Sequence, residues 1–187
     1  MMRFTSRLWL QISLVVTTLV VASVILWNSR HPPMSSQIRD NGALDYFATQ
    51  SLTRRYINGQ LKYSIQADQL QHWPKLQLTK FERPYMRMHR LSELQWQARA
   101  AQGSMSDSGS LVLLKQGFRI NSPAESMNPF SLSGESLRIF PDKDYAQSSE
   151  KVTVTDKKSL LTGRGVKMWF INQRLLLLDD VNGIHNN

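Results

Sequence analysis

The sequence predicts an all-β domain, and three observations carry that reading. From Tyr46 onward apolar side chains recur at every second position, the mark of strands with one buried face. Turn-forming pairs such as Asn58-Gly59 and Asp156-Lys157 punctuate these runs. No stretch after residue 42 joins a 3.6-residue period to helix caps. Short strands at roughly even spacing pack as a sandwich, jelly roll or barrel.

Ahead of the domain, residues 1–7 form a short tail with Arg3 and Arg7. Residues 8–27 are an uncharged apolar run from Leu8 to Trp27, with Trp9 near its other edge. At ~1.5 Å per residue a helix of this length covers ~30 Å, the thickness of a bilayer core. The arginines before it and the tryptophans at its edges predict a transmembrane helix with a cytoplasmic N-terminus. A cleaved signal peptide shares the charge order, but its core is ~7–15 residues and ends at small residues. Here Asn28, Ser29, Arg30 and His31 follow instead. Gln11, Ser13, Thr17 and Thr18 inside the run suit contact with another helix. Residues 28–42 are polar, with Pro32-Pro33 and Gly42, and read as a linker to a domain spanning 43–187.

Within the domain, Leu61, Tyr63, Ile65 and Ala67 alternate with polar residues, as do Leu76 and Leu78. Phe118/Ile120, Leu137/Ile139, Val152/Val154 and Val166/Met168/Phe170 continue the pattern. Ala67 to Leu70 also suits a helical turn. Turns are expected at Asp107-Ser108-Gly109, Pro141-Asp142 and Asn182-Gly183. Leu132, Gly134, Leu137, Ile139 and Val152 recur 29 residues on as Leu161, Gly163, Val166, Met168 and Val181. A looser copy runs from Ala101 to Ile120. Repeated hairpins predict a quasi-linear β structure with exposed edges that invite strand addition.

Residues 1–30 hold three arginines and no acid, so the rest of the chain keeps +6 of the formal net charge of +9. No run of consecutive cations exceeds a pair such as Arg54-Arg55, and a domain outside the cytoplasm does not meet nucleic acid. Cysteine is absent, which excludes thiol catalysis, thiolate zinc and iron–sulfur clusters. His31, His72, His89 and His185 show no metal spacing and read as surface residues. Met86 and Met88 share one strand face while His89 points away, so they read as core and not as copper ligands. Asp142-Lys143-Asp144 lacks the glycine and the final acid of a calcium loop. Thr162-Gly163-Arg164-Gly165 reads as a bulge or close backbone approach. With no catalytic constellation, no cofactor and no metal are expected, and the chain is not read as an enzyme.

The order of these features resembles the LptC family of lipopolysaccharide export. The resemblance rests on the arginine-led span, on Asn58-Gly59-Gln60-Leu61-Lys62-Tyr63 and on Phe81-Glu82-Arg83-Pro84. It rests further on Leu94-Gln95-Trp96-Gln97-Ala98, Leu132-Ser133-Gly134 through Ile139, and Thr162-Gly163-Arg164-Gly165-Val166. It implies a twisted β-jelly-roll of the OstA/LptA kind, open along one side and held in the periplasm by the span. It implies a relay that takes lipopolysaccharide from an inner-membrane ABC transporter, LptF and LptG with the ATPase LptB, and hands it to the carrier LptA. Phe81 matches a groove-lining position, and Trp96, Phe118, Ile139, Val154, Met168 and Leu175 are the further groove candidates. Gly59, Tyr63 and Gly165 are candidates for assembly with the transporter. The edge near Tyr46 to Ile65 would face that transporter, and Leu175 to Ile184, expected as a short final strand, the next carrier. The alternative from another class is a bitopic scaffold of a secretion or division complex, with a filled core and no lipid.

Overall fold

Alternating strands need ladder partners, and each run here finds them in the run next to it in sequence. The computed structural model describes residues 44–185 except 92, 124, 125, 127, 128 and 173. The tail, span and linker of 1–42 lie outside the described residues, among which no helix is long and apolar enough to cross a membrane.

Thirteen strands among the described residues join antiparallel in one sheet. β1 (Tyr46–Ile57) pairs along its length with β2 (Gln60–Trp73). The other edge of β2 pairs with β3 (Leu78–Glu82) in its C-terminal half and β4 (Tyr85–Arg90) in its N-terminal half. β3 and β4 are therefore one long run broken at Arg83–Pro84. The same holds for β5 (Glu93–Arg99) with β6 (Gln102–Ser106), and for β7 (Val112–Lys115) with β8 (Phe118–Asn121). It holds again for β9 (Ser131–Gly134) with β10 (Leu137–Phe140). β11 (Tyr145–Thr155), β12 (Ser159–Trp169) and β13 (Arg174–His185) are long once more. Joining the four broken pairs turns thirteen strands into nine runs, an up-and-down meander.

Two of the breaks have a local cause in the backbone, and bulges mark the long strands. Arg83 takes a left-handed conformation (φ 47°) before Pro84, which cannot donate to a ladder. Gln116 and Gly117 both have positive φ, as do Gly165 in β12 and Asp180 in β13. The ladder of β11 and β12 shifts register between Ser148 and Lys151, and that of β12 and β13 between Thr162 and Arg164, as bulges do. Hydrogen bonds such as Arg83 N to Ala101 O (2.8 Å) and Gly117 N to Glu135 O (3.2 Å) carry the ladder past the breaks. The bends fall side by side, so the sheet folds over along one line. β3, β6, β7 and β10 lie on one side of the line and β4, β5, β8 and β9 on the other. β1, β2, β11, β12 and β13 cross it.

The core sits between the two half-sheets and draws on both. Phe81, Val112, Leu114 and Ile139 come from one, and Met86, Trp96, Phe118 and Leu132 from the other. Met86 and Met88 are fully buried, as the alternation indicates.

Five expectations are corrected. Ala67 to Leu70 is strand, not helical turn, because β1 and β3 pair with it from both sides. Leu76 does not face the core: Pro74–Leu76 is a single 3-10 turn ending at a left-handed Gln77, which resets the phase so that Thr79 and Phe81 point inward. Asn182-Gly183 makes no turn but pairs with Leu161 and Thr162 inside β13. That final strand, expected to be short, runs for twelve residues. His72 is not a surface residue either: its ring stacks on Tyr46 at 4.8 Å, its Nδ1 lies 3.1 Å from Thr79 Oγ1, and Asp107 is 3.5 Å away.

The sequence repeat has a structural counterpart. Val152 of β11 pairs with Gly134 on one side and Gly163 on the other, and Val154 with Leu132 and Leu161. β9 and β10 together thus answer to β12, and the gap between them to the β12 bulge.

Candidate functional site

Folding an amphipathic meander along its middle puts all its apolar faces into one cleft. All seven groove candidates sit there. Ile139 is fully buried, Phe81, Trp96 and Phe118 are 2% exposed and Met168 is 3% exposed. Val154 and Leu175 are half-buried against the same cluster. The structure brings them together, but in a cleft filled by its own side chains and not in an empty channel.

Along the fold line the two halves are joined by backbone. At the opposite side, where the hairpin ends meet, the contacts among the described residues run through side chains. The Lys62 ammonium of β2 reaches 2.8 Å to Asp144 Oδ1, at the turn before β11. Both side chains are about one-fifth exposed, so the pair contributes no more than about 1 kcal/mol. Beside it the Tyr63 hydroxyl donates to Gly109 O at 3.3 Å and lies 3.3 Å from Met105 Sδ. Burial pushes the Tyr63 hydroxyl above its ordinary pKa, with Arg55 opposing and Asp142 adding to the rise, so it stays protonated and donating. Further along, Trp96 and Phe170 stack with ring centroids 4.1 Å apart and planes 20° apart.

A cavity of about 520 Å³ opens at that stack. Trp96, Phe130, Met168 and Phe170 give it an apolar wall, and Glu93, Gln95, Ser122 and Ser126 a polar one. Among the described residues Trp96 Nε1, which is buried, has no hydrogen-bond partner. A smaller cavity of about 180 Å³ lies where Phe81 meets Gly103.

The assembly candidates divide. Gly59 lies in the exposed β1–β2 turn with φ 76°. Gly165 lies at the β12 bend with φ 77°, and a Cβ there would sit 3.0 Å from the Leu178 side chain. Tyr63 is inside the cleft, 1% exposed, because it takes the inward face of β2 with Ile65 and Ala67, and β1, paired to β2, is itself the free edge. The N-terminal edge is therefore Tyr46–Ile57 alone, where Tyr46, Phe47, Leu52 and Tyr56 are exposed. At the other edge β13 exposes Leu176, Leu178, Val181 and Ile184.

Sequence reasoning missed Lys62 and Asp144, and placed Phe170 on an inward face without assigning it to the site. Phe170 extends the Val166/Met168 alternation, so its inward face was legible. Lys62 and Asp144 are 82 residues apart and carry no local signal. Among the described residues no group of His, Asp and Glu could hold a metal ion.

His89 is half-buried, contrary to the surface reading, and its Nδ1 has no partner. Burial first, then the neighbouring Arg87, lowers its pKa below 6.5. The unfolded chain then binds more protons than the folded one just below pH 6.5, so stability is full above that value and is lost as pH falls toward the folded pKa. Thermal unfolding followed from pH 7.5 to about 5 is expected to show this decline, and His89→Gln to flatten it.

The family described as lipopolysaccharide-assembly, LptC-related, matches residues 14–186. Among solved structures, the chain is similar to LptH from Pseudomonas aeruginosa, the LptA-homologous periplasmic component of a lipopolysaccharide transport device. The TM-score is 0.55 at 9% identity, covering 67% of this chain and 95% of that one. At that identity the likeness establishes the fold. Comparison with curated proteins gives no match.

Proposed function

The chain belongs to the LptC-related family of lipopolysaccharide-assembly proteins, and we propose that it is a membrane-anchored relay which holds lipopolysaccharide acyl chains in the cleft of its folded sheet. The observation that carries this is the convergence of the inward apolar faces on one cleft whose far side is bridged, among the described residues, by side-chain contacts. Two unpaired edges supply docking sites. β1 accepts a strand from the transporter, LptF and LptG with LptB, and β13 one from the LptA-type carrier, both by β-augmentation. Gly59 and Gly165 serve assembly through the turn of β1 and the bend beside β13. The span at 8–27 keeps the domain on the periplasmic side of the inner membrane. The protein performs no chemistry, and the energy comes from the transporter.

The test places a photocrosslinking amino acid at Phe118, inside the cleft, or at Arg119, on the opposite face of the same strand. Irradiated cells are expected to yield lipopolysaccharide adducts at Phe118 and none at Arg119. Equal labelling, or none at Phe118, would return the chain to the scaffold reading.

A further inference from the structure

We propose that Lys62, Asp144, Phe170 and Trp96 form one side latch, and that acyl chains enter the cleft sideways by parting it. The proposal rests on the lipid-holding role above and adds where the cleft opens.

The four residues make a continuous chain across the mouth. Lys62, on β2, holds the Asp144 carboxylate at 2.8 Å. The Asp144 carbonyl accepts the Phe170 N–H at 2.8 Å, so the residue that grips Lys62 also positions Phe170. Phe170 in turn stacks on Trp96. The chain thus starts on one half-sheet at Lys62, crosses to Asp144 and Phe170 at the hairpin ends of the other, and returns at Trp96 of β5. At its last link opens the 520 Å³ cavity, whose wall includes Met168 and Phe130.

Each link suits an opening device. The ion pair is partly solvated, so water takes over both charges when it parts. Asp144 caps a three-residue turn in a left-handed conformation and closes it by a 3.3 Å bond to Pro141 O. The turn itself is seated by buried Pro141 and by the pairing of Phe140 with Tyr145, so parting the ion pair moves the Asp144 side chain and leaves the turn in place. Trp96 Nε1 has no partner in the closed cleft, so a carbonyl or hydroxyl near the head of an acyl chain would satisfy it. Once parted from Asp144, Lys62 is left as a cation at the rim, suited to a phosphorylated headgroup.

The chain lacks cysteine, so a bridge can be placed at the latch alone. The full-length protein carries Lys62→Cys, Asp144→Cys and the photocrosslinker at Phe118, in membranes with its transporter. A bismaleimide with a disulfide in its linker bridges the two thiols, and mass confirms the bridge. The expected result is loss of lipopolysaccharide capture on bridging and recovery with dithiothreitol, while either single cysteine treated alike keeps capture. Asp144→Ala should raise capture by up to about fivefold, the factor a pair of this exposure can hold in the closed–open balance. Undiminished capture in the bridged protein, or a loss that reduction does not reverse, would overturn the latch. Absence of capture before bridging would overturn the lipid-holding role itself.

Discussion

Trp96→Ala is expected to cost the domain about 3–5 kcal/mol, the range for removing a fully buried large aromatic. Trp96 heads the fully buried side chains by size and also loses its stack on Phe170, a contact of about 0.5–1.5 kcal/mol in such pairs. Against a stability of about 5–15 kcal/mol this is roughly a fifth or more of the total. Urea unfolding of residues 42–187, one compact unit, measures it directly. Trp96→Phe separates size from polarity. It keeps most of the ring and removes a buried N–H without a partner, a group whose desolvation costs about 1–3 kcal/mol. The phenylalanine variant should therefore lie within about 1.5 kcal/mol of the natural protein, as volume-conserving swaps do. Equal losses in both would mean that the indole N–H is satisfied in solution.

Gly134→Ala is the second large effect, out of proportion to one methyl group. A Cβ there would sit 2.8 Å from Phe118 Cε1, 3.0 Å from the Lys151 carbonyl and 3.1 Å from Val152 Cγ1. Neither the carbonyl, tied into the β9–β11 region, nor the buried ring can retreat freely. Overpacking of this kind costs about 1–3 kcal/mol, and each kcal/mol lowers Tm by roughly 2–4 °C at this size. The control is Gly117→Ala, where nothing lies within 4 Å and only the positive φ is strained. Its expected loss is about 1–2 kcal/mol, with no change in the Phe118 environment by near-UV signals. A repacked core should mark Gly134→Ala alone.

These two positions show what the residues disclosed in advance. Phe118, Ile120, Leu137 and Ile139 have the inward phase that alternation assigns, because both neighbours of each strand hold its register. Gly134 and Gly163 both sit opposite Val152, but each is crowded by a different neighbour: a Cβ at Gly134 would meet Phe118 and Lys151, and one at Gly163 the Asp179 carbonyl of β13. The phase near Leu76 was not legible. A proline-led turn restarts it, and nothing in a five-residue strand corrects the count. The place of Tyr63 was hidden for another reason: alternation tells which face a residue takes, not whether its strand lies at an edge. The latch was least legible of all, since Lys62 and Asp144 meet only after the whole meander is folded.

The bend shared by every run has a consequence for size. Each run adds roughly 4.8 Å across the sheet, so nine of them make a trough of about 40 Å. The cross-section is set within a run, by where its bend falls, and the length by how many runs there are. These two dimensions are therefore independent. Inserting or deleting one hairpin would change the reach by roughly 10 Å and shift a terminal strand with it, leaving the bore unaltered. The protein is in this sense a gauge made of interchangeable ribs, and spacing between two membranes is a quantity such a gauge can be cut to fit.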